Sequence, residues 1–140
     1  MFGDDRQKLR QQFYDAWQKY QQNSVLTPLE DEIVGLILHH PEYEFIFQDE
    51  NSLAEYETNP PENSTNAFLH LSLHLSIREQ VSTNRPEGIQ VVYQQLLEKV
   101  GDPHEVEHRM IECLGKIMWE IINNNKALDE QEYLDMLRKL

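Results

Sequence analysis

One helix-start signature occurs twice in this chain, as Thr27-Pro28-Leu29-Glu30 and as Asp102-Pro103-His104-Glu105. In each, a side-chain oxygen can accept from an amide of the first helical turn, which has no partner inside the helix. Proline follows at the first helical position, where its missing N–H costs nothing. A glutamate three residues after the cap can reach back to the cap's own amide. Stops are equally clear: Pro41 after the first of these helices, and Asn123-Asn124-Asn125 after the second. Asp129 with Glu132 marks a further start, running through Leu134, Leu137 and Leu140. So much helix punctuation leaves little chain from which to build a sheet.

The intervening segments follow hydrophobic period. Asp4 or Asp5 opens a first helix whose stripe is Leu9, Phe13, Ala16, Trp17 and Tyr20. The helix from Pro28 carries Ile33, Leu36, Ile37 and His40. Gly88 to Val100 reads as helix on Ile89, Val92, Tyr93, Leu96 and Leu97, with Gly101 ending it. The acidic stretch from about 48 to 66, with Pro60-Pro61, reads as a surface loop with at most a short turn around Ser52–Tyr56. Phe68 to Gln80 is ambiguous, because leucines and an isoleucine alternate with His70, Ser72, His74, Ser76 and Arg78 at the strand period of two. Its length, its leucines in place of β-branched residues and the helix-forming Arg78-Glu79-Gln80 favour helix. The expectation is an all-α, single-domain helical bundle of five or six helices over residues 1–140.

Charge narrows the function. Lys and Arg number 12 against 25 Asp and Glu, a net charge of −13, and the basic residues are scattered beside acids. That balance argues against nucleic acid and against an anionic membrane surface. No apolar run approaches the ~18 residues of a membrane span. The opening MFGDDRQKLRQQ lacks the basic-then-apolar order of a signal peptide. The single cysteine, Cys113, lies among Met110, Ile111, Leu114 and Ile117 and reads as an inert core thiol. A cytoplasmic protein is expected.

Histidine carries the chemistry. Four of the six histidines form two pairs at spacing four, His70/His74 and His104/His108, with Glu112 one turn beyond the second pair. On a helix that spacing puts two imidazoles on one face, about 5–6 Å apart at Cβ. Imidazole and carboxylate are the usual ligands of first-row metals, so zinc, iron or manganese between two helices is the sharper reading. Glu112, Glu79 and Glu107 are available as ligands or as acceptors behind the rings, with Glu112 best in register. His104, in a first helical turn, is the weakest of the four. His40 and Glu44 flank Pro41 and add a possible arm; a polar helix terminus explains them as well.

His104-Glu105-Val106-Glu107-His108 also matches His-Glu-x-x-His, with Glu105 in the general-base slot of zinc proteases. Glu105 falls in the charged arc of the helical wheel, however, and the chain is short for a protease. A glycine-rich phosphate loop, a Gly-x-Ser-x-Gly elbow and a Cys-x-x-Cys pair are all missing from the sequence.

The strings Thr27–Glu30, His40-Pro41-Glu42-Tyr43, Asn66-Ala67-Phe68-Leu69-His70 through Ile77-Arg78-Glu79-Gln80, and Glu107 through Leu114 resemble the bacterial Domain of Unknown Function family eighteen-forty-one. The family pattern reads HPEYH where this chain has His40-Pro41-Glu42-Tyr43-Glu44, and NPF where it has Asn66-Ala67-Phe68. The resemblance implies a small helical bacterial protein and brings no activity with it. Two readings follow from the residues. One is a metal-binding helical protein with a site drawn from His40, Glu44, His70, His74, His104, His108 and Glu112, and a hydrolytic or oxidative reaction if it is catalytic. The other is a metal-free module with a structural histidine network that meets a protein partner.

Overall fold

The computed structural model describes residues 2–61 and 66–140. Every regular element among them is helical: α1 (Phe2–Gln21), α2 (Pro28–Leu38), a 3₁₀ helix (Pro41–Phe47), α3 (Glu50–Thr58), α4 (Ala67–Thr83), α5 (Ile89–Val100), α6 (Pro103–Asn123) and α7 (Glu130–Arg138). Eight helical segments replace the expected five or six. The surplus is the 3₁₀ helix and α3, which fall where the sequence suggested a chain break and an acidic loop. Residues 62–65 of that loop lie outside the described residues.

α3 was hidden by its composition. It buries only Leu53 and Tyr56, one turn apart, and its start rests on the Asp49 carboxylate accepting from the Ser52 amide at 2.7 Å. Two buried residues in nine give too little periodicity to recognise. α1 begins at Phe2, so Asp4 and Asp5 fall inside its first turns and do not precede it. Phe68 to Gln80 lies within α4, which settles the strand-like alternation in favour of helix.

The repeated start signature is met once in full. At Thr27, Oγ1 accepts from the Glu30 amide at 3.2 Å, and Glu30 Oε1 accepts from the Thr27 amide at 2.9 Å. Asp102 caps α6 through the His104 amide, but Glu105 turns outward to Arg109, leaving the box half made. Thr27→Ala is expected to cost about 1 kcal/mol, read as a lower urea midpoint at unchanged slope.

The chain divides into two compact units, with the boundary inside α4 between Ser72 and Leu73. In the first, α1 lies beside α2, and the 3₁₀ helix packs against α1, α2 and α3. Phe68 is its aromatic hub: Phe13 stacks on it at 5.8 Å, and Phe47 and Tyr56 meet it edge-on at 5.7 and 5.9 Å.

The second unit has a continuous apolar core. Ile77 of α4, Ile89, Val92 and Leu96 of α5, Val106, Met110, Ile111 and Ile117 of α6, and Tyr133, Leu134 and Leu137 of α7 are all buried in it. α5, α6 and α7 pack against one another, with Gly101 at φ +90° allowing the tight reversal from α5 into α6. Cys113 belongs to this core, and burial pushes its thiol above the ordinary range, as suits an inert side chain. Among the described residues no helix is long and apolar enough to cross a membrane.

Candidate metal centre

α6 places its side chains about 100° apart around its axis. Taking His104 as origin, His108 lies at about 40°, Glu107 at 300°, Glu112 at 80° and Glu105 at 100°. The histidines therefore border the apolar face formed by Met110, Ile111 and Leu114, and Glu107 lies within that face. Glu105 and Glu112 turn towards the charged arc. The structure follows this arithmetic: Glu107 is buried, whereas Glu105 and Glu112 are exposed.

His74 of α4 joins them. Its ring stacks on His104 at 5.1 Å and meets His108 edge-on at 4.9 Å, and the rings of His104 and His108 are 4.3 Å apart. His74, His104 and His108 each offer one ring nitrogen within 4.8 Å of the others. His74 is wholly buried, and His104 and His108 are half-buried. His104, the weakest of the four by sequence, is held inside the cluster by its stack on His74.

Glu107 anchors the cluster. Its Oε1 accepts from His74 Nδ1 at 2.8 Å, and both carboxylate oxygens face Arg78 Nε, at 3.3 and 3.2 Å. Burial works to raise the pKa of this carboxyl. The His74 hydrogen bond and the Arg78 charge outweigh it and hold Glu107 below the usual carboxylate range. An ionised carboxylate only accepts, so the bond assigns a His74 proton to Nδ1 and directs Nε2 away from Glu107. A carboxylate behind an imidazole in this way orients metal-ligating histidines. Arg78 sits one turn after His74, so α4 supplies both the ring and the cation that fixes its acceptor.

A tetrahedral ion bound at about 2.0–2.1 Å sets its nitrogens about 3.4 Å apart, so these rings need to close by at most about 1.4 Å. Side-chain rotation covers that distance. The group can hold a metal ion.

Glu112 does not belong to the group, and the acceptor behind the rings is Glu107, which the register argument had ranked below it. Glu105 pairs with Arg109 at 3.3 Å on the exposed side of α6, so its carboxylate is turned from the histidines and the protease-like motif is one of spelling only. His40 and His70 lie in the first unit and contact each other. Glu44, on the 3₁₀ helix, lines a shallow hollow with Trp17, Gln18, Gln21, Phe47 and Gln48.

A family model described as a domain of unknown function (DUF1841) matches residues 5–139. The chain belongs to this family. No curated protein and no solved structure matches it. Membership of DUF1841 thus brings no activity, and the chemistry has to be argued from the residues.

Proposed function

We propose that this DUF1841 protein binds one first-row transition-metal ion through His74, His104 and His108, with Glu107 orienting His74 from behind. The observation that carries the reading is the convergence of three imidazole nitrogens beside a buried, arginine-held carboxylate. An all-imidazole set suits zinc, iron, cobalt, nickel or copper better than manganese, which favours oxygen donors. Zinc and iron therefore stand ahead of manganese. A metal held this way would supply Lewis-acid activation of water or a site for oxygen, and hence a hydrolytic or oxidative reaction. The net charge of −13 favours cation capture and disfavours polyanionic partners, in keeping with a soluble cytoplasmic role.

Elemental analysis of untagged protein tests this, beside His74→Ala and His108→Ala. The parent is expected to hold a stoichiometric ion that each substitution removes. An apo parent that takes up no ion on reconstitution would overturn the reading. The histidines would then be a buried hydrogen-bond network. The exposed apolar strip Met118, Trp119 and Ile122 at the end of α6 would become the unit's most partner-like feature.

A further inference from the structure

The first unit contains a hollow of about 380 Å³ between α1 and the start of α4, near the lower end of small-ligand sites. Leu9, Phe68 and Leu69 give it apolar walls, and Arg10 is the one cationic side chain among the described residues that line it. The Arg10 guanidinium lies over the Phe68 ring at 5.1 Å, so an aromatic face holds its plane and leaves the donors along its edge to other groups. Glu57 meets it through Nη1 alone, at 3.4 Å, well beyond the ~2.7–2.9 Å of a charge-assisted hydrogen bond. The fork that grips a carboxylate with two parallel N–H bonds is therefore not spent on Glu57.

Ser72 carries an independent mark. A helical serine ordinarily returns its hydroxyl to the carbonyl four residues back, but the covered Ser72 hydroxyl has no hydrogen-bond partner. Rotation about its single χ angle turns that hydroxyl into the hollow the residue lines. Leu69 stands 51 % exposed on the wall, apolar area open to a bound molecule.

We propose that this hollow binds a small, apolar-tailed monocarboxylate. Arg10 grips the carboxylate, Leu9, Phe68 and Leu69 cover the tail, and Ser72 turns its hydroxyl to the bound acid. Glu57 beside the guanidinium sets the charge: it tolerates a single negative charge better than a dianion such as phosphate. The wall is fixed before a ligand arrives, since Asn66 Oδ1 accepts from the Leu69 amide at 3.1 Å and the Ala67 amide donates to the Tyr56 hydroxyl at 2.8 Å. None of the histidines of the metal centre takes part.

Octanoate tests this, titrated into the full-length protein labelled at its leucine methyls. Saturable shifts of the Leu9 and Leu69 methyls are expected, with octan-1-ol, which has the same tail, binding at least about tenfold more weakly. Arg10→Gln, its helix content checked by circular dichroism, is expected to weaken octanoate by at least about tenfold and to leave octan-1-ol unchanged. Ser72→Ala is expected to weaken octanoate several-fold. Unmoved Leu9 and Leu69 methyls would overturn the proposal, as would parental octanoate affinity in Arg10→Gln. Octan-1-ol binding the parent as tightly as octanoate would overturn it too, whatever the variants do, by showing an apolar surface without anion recognition.

Discussion

Phe68→Ala is expected to destabilise the first unit by about 3–5 kcal/mol, a large part of the total stability of an ordinary domain. The cause is geometric. Phe68 is 4 % exposed, and three other aromatic rings have their centroids within 6 Å of its own. Those rings come from α1, the 3₁₀ helix and α3, so truncation leaves a void that no single element can close by shifting. The Arg10 guanidinium lies over the same ring at 5.1 Å and loses its aromatic face as well. The neighbouring Ala67 amide donates to the Tyr56 hydroxyl at 2.8 Å, tying the start of α4 to α3 beside the void. Urea denaturation followed by fluorescence of the buried Trp17 measures the loss. Phe68→Leu, which keeps most of the volume, is expected to lose well under half as much. Equal losses in the two variants would show that the ring contacts are incidental.

Phe68 also illustrates what could be read from the sequence. Its segment alternates like a strand, yet leucine content, length and the run into Arg78-Glu79-Gln80 pointed correctly to helix. The caps at Thr27, Asp102 and Asp129 and the stop at Gly101 were legible because each is a local hydrogen-bonding or backbone requirement. α3 was not, because two buried side chains in an acidic nonapeptide acquire meaning only once the surfaces they face exist. The site divides the same way. Spacing four marked His74, His104 and His108, but ranking carboxylates by continuing the histidine stripe favoured Glu112. The wheel held the better answer: a residue at 80° beside Arg109 faces water, and one at 300° between Met110 and the histidines does not. What no wheel could supply is that α4 brings Arg78 to Glu107, which makes a buried carboxylate tolerable.

Glu107→Gln is expected to weaken zinc binding by about 10–100-fold, the usual cost of losing an acceptor behind a ligating imidazole. The amide keeps the volume of the carboxylate but not its charge, and its NH₂ can turn to His74 and draw the proton off Nδ1. The ring then presents an N–H where the lone pair is needed. A chelator-competition titration reads the affinity directly. Glu107→Leu goes further, removing the carboxylate that accepts from the wholly buried His74 Nδ1–H, a cost of about 1–3 kcal/mol. Arg78 softens the loss. Its side chain is 28 % exposed and can turn to water, so the total stays below the 3–5 kcal/mol of a fully buried broken pair. Melts with and without zinc separate the two roles of Glu107. A purely structural carboxylate lowers the stability of the metal-free protein and leaves the zinc-dependent increment intact. A carboxylate that orients a ligand also shrinks that increment, by about 1.4–2.7 kcal/mol for a 10–100-fold loss of affinity at saturating zinc. An increment equal in parent and Glu107→Gln would place Glu107 in the fold alone.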